Sequence, residues 1–481
     1  MTVRSPLIQT LTDLLGAEKI FSEDSVLDAY SKDMANFQRK PLLVAKVMSS
    51  DDISKILRFA NDQGIPVSAW GAGSSLTGAV VTDGIMIDVS KLNRIFRVDA
   101  VNWYVHVEAG VVLDDLNQEL SRHGFFFPPD PASSFICTVG GAISEGSGGL
   151  RCVKYGTMKD WVLALKVILP DGRVMKIGEP LAKNRAGYDL VHLFVGSEGT
   201  LGVITEAWLK IIPIPDAKVT RIYAVFDEWA AAGRAILAVR QNRFVPRMLE
   251  FLDRAGIEAS NRYNEFDLEV GEAALLIDVE EFVAGEAERL SDLLLESGAS
   301  KVNIVRNEEE AEKLLLARAS IYLATAQLAP ARMTEDVVVP IDRIVDYLSK
   351  VKELETMHGV KIIMQGHAGD GNIHPQILFD DRDPKSSAAA QKALDDLLQY
   401  AVEVGGSITG EHGVGLQKMA YLAKQLDAHG GQGVLELMRQ IKGIFDPKNI
   451  MNPGKYVDRP AQNDLSRPRT LITAFEPAPT A

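Results

Sequence analysis

The chain has 481 residues, more than one core accommodates, so two or more domains with room to bury a cofactor are expected. A net charge of -14 argues against phosphate-backbone binding and leaves nucleic acid out as a partner; a small anion fits only where basic side chains are locally concentrated. The only cysteines, Cys137 and Cys152, exclude a disulfide framework and the clustered thiols of an iron-sulfur or zinc-ribbon site, which suits a reducing cytoplasm.

The opening stretch MTVRSPLIQTLTDLLGAEKIF breaks its apolar residues with Asp13, Glu18 and Lys19 and reads as an amphipathic helix rather than a signal or transit peptide. No apolar run is long enough to cross a bilayer; a cytoplasmic protein is expected, with peripheral attachment at the inner membrane face left open. Ser50 to Gly64 starts with capping residues, shows helical apolar spacing and stops at glycine, and PVSAW then reads as a strand entering a glycine loop. GIMIDVS and WYVHVEAG read as short strands, Thr138 to Gly149 is glycine-rich, and ALKVILPDGRVMKIG predicts a hairpin turning at Asp171-Gly172.

Beyond IIPIPDAK, longer helices alternate with strands, as over Glu308 to Gln327 and Asp342 to Met357. Gly433 to Lys455 reads as a helix followed by a proline-punctuated turn. The expected fold class is α+β, with one loop-rich α+β unit of two subdomains over residues 1–216 and a second domain over 217–428. A C-terminal helical segment follows over 429–456, then a loose tail over 457–481.

In WGAGSSLTGAV the third glycine of a G-x-G-x-x-G pattern falls on Leu76, so the nicotinamide fingerprint fails. What remains is a strand followed by small residues, either a simple turn or a nest of backbone N–H groups for a pyrophosphate. PPDPASSFICTVGGAISEGSGGLRCVKYG packs glycines and small hydroxyls in a composition suited to close backbone approach to a large planar ligand.

GHAGDGNIHPQILFD predicts a hairpin turning on Asp370-Gly371, which makes His367 oppose His374 on one face, their Cβ atoms about 4.5–5.5 Å apart. Two imidazoles so placed hold a divalent ion or form a stacked or hydrogen-bonded pair. GGSITGEHGVGLQK adds Glu411 and His412; adjacent residues on an extended chain point to different sides, so one can ligate while the other faces substrate. Arg318 lies on an otherwise apolar helix, where an arginine either snorkels to the surface or serves a site.

Together with NRAGYDLVHLFVGSEGTLGVITEAWLKIIP, these stretches resemble the flavoprotein superfamily of vanillyl-alcohol oxidase and p-cresol methylhydroxylase type, in its D-lactate, glycolate and D-2-hydroxyglutarate dehydrogenase branch. The resemblance covers roughly Asp24 to Lys455. It implies an FAD-binding domain of p-cresol methylhydroxylase type, a substrate or cap domain built on an antiparallel sheet, and a C-terminal segment returning to the flavin. It implies that Gly71, Ala72, Gly73, Ser74, Ser75, Leu76 and Thr77 cradle the FAD pyrophosphate. Pro131, Ser134, Thr138, Gly141, Ser144, Gly148, Tyr155 and Gly156 would line the rest of the cofactor, with Ile204 near the adenine half and Asn452 of MNPGK approaching the flavin. Trp70 replaces a common arginine, and Ser147 interrupts a usual Asn-Ala-Gly-Gly run. Gly71 to Gly78 lacks the histidine that attaches flavin covalently in some members, so non-covalent FAD is expected.

By the same resemblance His367, His374 and Glu411 bind zinc or a similar divalent metal and His412 is the catalytic base. Arg318 binds the substrate carboxylate, Tyr322 and Thr334 border the pocket, and Gln376 stands where other members use a different amide. Hydroxyglutarate-type members carry a lysine near Thr334, which is absent here. The implied reaction is oxidation of a D-2-hydroxy acid to the 2-oxo acid, the metal binding hydroxyl and carboxylate, with electrons passed to a quinone, an electron-transferring flavoprotein, a cytochrome or a partner subunit. A homodimer is left open. The alternatives are a non-redox transferase of alkyl-glycerone-phosphate synthase type, whose corresponding segment is richer in histidine, and an oxygen-using alditol-type oxidase, which does not need the paired histidines. A metal-and-flavin protein without turnover is the third.

Overall fold

The computed structural model describes residues 4–35 and 37–458. Their contacts divide them into two units, one of residues 4–149, 156–214 and 411–458, the other of residues 150–155 and 215–410. The changeover at 410/411 lies 18 residues before the one expected at 428, and the six-residue segment 150–155 belongs with the second unit. The expected tail lies, beyond Asp458, outside the described residues.

In the first unit, β1 (Ile20–Phe21), β2 (Leu43–Lys46), β3 (Val67–Trp70) and β4 (Ile85–Asp88) form a sheet of order β1-β2-β4-β3, in which β2, β4 and β3 are parallel. The helix Ser50–Gln63 carries the chain from β2 to β3. It begins where Ser49 Oγ accepts the N–H of Asp52 at 3.2 Å and ends at Gly64, whose φ of 66° only glycine adopts without strain. Its inward residues Ile53, Ile56, Leu57 and Ala60 pack with Leu43, Ala45, Val67, Ile85 and Ile87, and Ile450 and Met451 join the same core. Each of the Val, Leu, Ile and Met side chains among them contributes about 1.5–3 kcal/mol by leaving water.

A second, antiparallel sheet contains β5 (Ile95–Asp99), β6 (Tyr104–Glu108), β8 (Val162–Ile168), β9 (Val174–Gly178) and β10 (Val203–Lys210) in the order β5-β6-β10-β8-β9. Short β7 (Phe125–Phe126) pairs with β11 (Ile212–Pro213). The hairpin expected at Asp171-Gly172 is β8–β9, with Gly172 at φ 81°. The glycine-rich run contains a short helix, Val139–Glu145, which Thr138 starts and Gly146 stops.

The second unit is built on one eight-stranded antiparallel sheet: β12 (Lys218–Phe226), β13 (Met248–Asp253), β14 (Ala273–Glu281), β15 (Lys301–Val305), β16 (Ala331–Thr334), β17 (Val337–Val338), β18 (Lys361–Gly366) and β19 (Asn372–Phe379). Their order is β15-β12-β14-β13-β18-β19-β16, with β17 also on β19. Alternation of side chains along each strand gives the sheet two apolar faces. Leu252 faces the helices Arg254–Asn264 and Glu308–Thr325 through Ile257, Leu314 and Ile321; Phe251, on the other face, meets Trp229 edge-on at 5.6 Å between ring centres. The mixed α+β class is the one expected.

The register of β18 and β19 corrects one expectation. Gln365, not His367, opposes His374, and the turn spans the five residues 367–371 instead of a two-residue pair. Asn372 donates its N–H to His367 O at 3.2 Å, and Gly371 at φ 83° lies where a Cβ would meet Val339 O at 2.2 Å. The longer turn is held by that packing against Val339, which local turn chemistry does not reveal.

Candidate active site

In the first unit, a cleft is lined by Gly71, Gly141, Ser144, Ile204 and Asn452, five of the residues expected to hold the cofactor. Its walls are close-packed backbone. A Cβ at Gly71 would stand 2.3 Å from Thr138 Oγ1, and Thr138 Oγ1 accepts the N–H of Gly141 at 3.3 Å, so the two glycine-rich stretches meet at one hydroxyl. Gly73, at φ 69°, lies against the indole of Trp70, where a Cβ would approach to 2.2 Å; Trp70 itself packs on Tyr30 at 4.9 Å.

The remaining residues of the loop, Ala72 to Thr77, do not line this cleft. Ser75 Oγ lies 3.3 Å from Thr77 Oγ1, while Thr77 O accepts the N–H groups of Leu416 and Gln417 at 2.9 and 3.2 Å. Pro131 O receives the N–H of Ser134 at 2.8 Å, and Gly148 is buried beside Gly149. Gly156, at φ 80°, lies against Asp160. Tyr155 falls in the second unit, its hydroxyl bound to both carboxylate oxygens of Glu280 at 2.8 and 2.7 Å, with Lys154 Nζ on the same carboxylate at 2.6 Å.

Asn452 is tied to protein rather than left open: its amide nitrogen donates to Ala79 O at 2.6 Å and Glu198 O at 2.7 Å, and its oxygen accepts from Ser68 Oγ at 3.2 Å. The cleft also carries two acids that the sequence reading did not single out, the half-buried Glu145 and the buried Glu198. Burial, with the neighbouring Glu198 and Asp33 carboxylates adding to it, holds Glu145 well above the usual carboxylate range, and its Oε2 has no hydrogen-bond partner among the described residues. Burial likewise pushes Glu198 up to about 7, against the N–H groups of Val414 and Gly415 at 2.7 and 2.8 Å. A cleft of glycine backbone with an orphaned carboxyl oxygen on its wall fits a large ligand with amide-like donors and acceptors.

In the second unit the polar residues form a file across one face of the sheet. Glu250 of β13 accepts from His367 Nδ1 at 2.8 Å through Oε1 and from Arg318 Nε at 2.6 Å through Oε2. Burial alone would raise Glu250, but the adjacent His367 and Arg318 outweigh it and hold the carboxylate below its ordinary range. Arg318 is 9 % exposed, which excludes snorkelling; its NH1 donates to Gln365 Oε1 at 3.1 Å, and its NH2 has no hydrogen-bond partner among the described residues.

Gln365 opposes His374, and Gln376 opposes Thr334, so these side chains share a face. The rings of His367 and His374 meet edge to face at 5.1 Å despite the shifted register, because the turn folds His367 back. His374 Nδ1 lies 3.6 Å from Asp336 Oδ1. Asp336 Oδ2 accepts from Thr409 Oγ1 at 2.7 Å and from the N–H of Gly410 at 2.8 Å, so it holds the chain immediately before Glu411. Glu411 and His412 begin the last segment of the first unit, His412 Nε2 being 3.7 Å from Glu411 Oε1.

Sequence reasoning missed Glu250, Gln365, Arg332 and Asp336. A signal existed for two of them: Glu250 breaks the apolar strand MLEFLD and Arg332 begins RMTED, charges in segments that otherwise read as core. Arg332 is 3 % exposed; its NH1 donates to Tyr322 O and to Thr325 Oγ1, the latter at 2.9 Å, and its guanidinium lies 3.8 Å from the centre of the Tyr322 ring.

Comparison with known proteins finds two matching families. Residues 41–178 match the FAD binding domain and residues 215–456 match the C-terminal domain of FAD linked oxidases. The chain is 35 % identical to glycolate oxidase subunit GlcD of Bacillus subtilis over 94 % of its own length and 97 % of that protein. It is 38 % identical to D-lactate dehydrogenase of Archaeoglobus fulgidus over 86 % of this chain and 91 % of that one. Substrate-bound p-cresol methylhydroxylase shares the fold at a TM-score of 0.78 and 16 % identity, covering 94 % of this chain and 96 % of that one. With a match to the FAD binding domain, a match to the C-terminal domain of FAD linked oxidases over half of its length, and relatives aligned nearly end to end, the chain belongs to the FAD-linked oxidases.

Proposed function

We propose that this protein oxidises a D-2-hydroxy acid to the 2-oxo acid. The observation that carries the reading is Arg318, a buried guanidinium fixed by Glu250 and Gln365, with NH2 uncommitted, on the same file as His367 and His374. A fixed cation beside paired imidazoles matches a substrate that presents a carboxylate next to a hydroxyl. The relatives named for glycolate and D-lactate, both 2-hydroxy acids, support the same reading.

Gly71 to Thr77 would hold the FAD pyrophosphate, and Pro131, Ser134, Thr138, Gly141, Ser144, Gly148, Tyr155, Gly156, Ile204 and Asn452 the rest of a non-covalent cofactor. Bound FAD supplies a two-electron acceptor for the hydride leaving the substrate Cα. His367, His374 and Glu411 would hold a divalent metal, zinc or a similar ion, whose chemistry is to polarise the substrate hydroxyl. Glu250 orients His367 through Nδ1, so that ring would ligate through Nε2. Arg318 binds the carboxylate and orients Cα, Tyr322, Thr334 and Gln376 border the substrate, and Nε2 of His412 takes the hydroxyl proton.

The test is anaerobic mixing of the purified flavoprotein with D- and L-2-hydroxy acids of different lengths, with and without added zinc or manganese. Bleaching of the oxidised flavin band by D-acids is expected. Failure of every 2-hydroxy acid to bleach it would overturn the reading.

A further inference from the structure

The file of polar groups does not end at Arg318. The helix Glu308–Thr325 lies along the same face, and Arg318, Tyr322 and Thr325 follow at helical spacing: Arg318 reaches Gln365, while Thr325 Oγ1 donates to Gln376 Oε1 at 2.6 Å. On the edge strand β16, Thr334 and Arg332 stand two residues apart and so point to one side. Arg332 closes the far end of the file, bonded to Thr325 Oγ1 at 2.9 Å and to Gln376 Oε1 at 3.5 Å.

Two features of this end are not accounted for by folding. Arg332 is buried and has no carboxylate within ion-pair distance among the described residues; every hydrogen bond it makes goes to a neutral oxygen. A buried charge without a counter-charge is costly, and burial accordingly draws the guanidinium below its usual range. Secondly, Arg332 Nε, Gln376 Nε2, Tyr322 Oη and Thr334 Oγ1 are all buried with no hydrogen-bond partner among the described residues. All four can donate, and Gln376 Oε1 already accepts from Thr325 Oγ1 at 2.6 Å and from Arg332 NH1 at 3.5 Å. Unmet donors around an unneutralised cation define a site for a planar anion with several acceptor lone pairs.

We propose that Arg332, with Tyr322, Thr334 and Gln376, binds a second carboxylate at the distal end of the substrate, so that the preferred substrates are short 2-hydroxy dicarboxylic acids. The proposal rests on the reading of Arg318 as the site of the first carboxylate. Four to seven helical residues separate the positions at which the two guanidiniums meet the helix, roughly 6–10 Å along its axis, a span that suits a short dicarboxylate. The missing counter-charge is then supplied by the substrate, and a monocarboxylate such as lactate leaves it unmet.

The experiment compares kcat/KM of the FAD-loaded protein for D-malate and D-2-hydroxyglutarate against D-lactate, and, separately, calorimetric binding of glutarate against butyrate to the oxidised protein. The wild type is expected to favour the dicarboxylate by at least about tenfold in both measurements. Arg332→Met should abolish that preference in both, and Arg332→Lys should restore part of it. Gln376→Glu places a carboxylate beside Arg332 and should raise the melting temperature while removing the preference, a result available even where Arg332→Met folds poorly. A wild type that favours the monocarboxylate, or an Arg332→Met protein that loses both substrates and both ligands equally, overturns the proposal. If no 2-hydroxy acid reduces the flavin, the proposed reaction falls, and the glutarate-to-butyrate comparison still decides whether Arg332 receives a second carboxylate.

Discussion

His367 donates from Nδ1 to Glu250 Oε1 at 2.8 Å, and both side chains are buried. This bond fixes the ring where the five-residue turn would otherwise let it rotate, and it selects the tautomer that presents Nε2. Glu250→Gln keeps the shape but weakens the acceptor and leaves Arg318 without its counter-charge. Bound divalent metal, measured by elemental analysis, should have an affinity about 10–100-fold lower than in the wild type. Unchanged metal affinity would assign Glu250 to Arg318 alone.

Arg318→Met should raise KM strongly and depress kcat, because the contact proposed for Arg318 both binds the substrate carboxylate and orients Cα. The loss in kcat/KM is expected at roughly 2–5 kcal/mol, the range for truncating one member of a buried charged pair. Part of it reflects Glu250 left uncompensated, so FAD content and melting temperature are measured alongside. An unchanged KM would return Arg318 to a purely structural ion pair with Glu250.

The elements that local chemistry dictates were legible in the sequence. Ser49 and Gly64 bound the helix Ser50–Gln63 within a residue of its expected ends, and Gly172 marks the β8–β9 turn, because capping and left-handed backbone depend on the residues themselves. Non-local packing was not legible. The Asp370-Gly371 pair promised a two-residue turn, but Gly371 is set by Val339, more than thirty residues earlier, and the loop is longer. Nor could spacing bring Glu250 to His367 and Arg318, since that meeting requires β13 to lie beside β18 and a helix to cross them. Arg332 was overlooked for the opposite reason: its interest lies in the partners it lacks, which only three-dimensional neighbours reveal.

Cys137 should behave as an inert thiol. Burial pushes it up to about 12, so below that pH the folded protein carries the neutral thiol and offers almost no nucleophile. Alkylation of the native protein at pH 8.5, mapped by mass spectrometry, should therefore spare Cys137, and labelling should appear only with unfolding or as pH approaches 12. Native-state alkylation of Cys137 at the rate of a free thiol would contradict the packing of the second glycine-rich stretch.

Gly71→Ala should lower retained FAD, read as the ratio of flavin to protein absorbance. Its Cβ would lie 2.3 Å from Thr138 Oγ1, so either the loop or the cap of the helix Val139–Glu145 must move. Thr138→Ala alone removes that cap, at about 1 kcal/mol. The double variant relieves the collision and should hold more FAD than Gly71→Ala, a non-additivity diagnostic of direct contact. Simple additivity would mean that the loop fails for another reason.

The roles proposed for the histidines separate by what each variant loses. His367→Ala or His374→Ala removes a ligand, so metal and activity should fall together while the glycine cleft of the first unit keeps FAD. Glu411→Gln should resemble them. His412→Ala should keep metal and FAD near wild-type content yet slow flavin reduction by about 10²–10⁴, the contribution of a positioned general base. Elemental analysis and stopped-flow reduction on the same preparations distinguish the two groups. Loss of metal in His412→Ala with retention in Glu411→Gln would exchange the ligand and base. Normal flavin reduction in all four variants would leave the edge-to-face pair of His367 and His374 as packing alone, and the hydroxy-acid reaction would then have to be sought elsewhere in the fold.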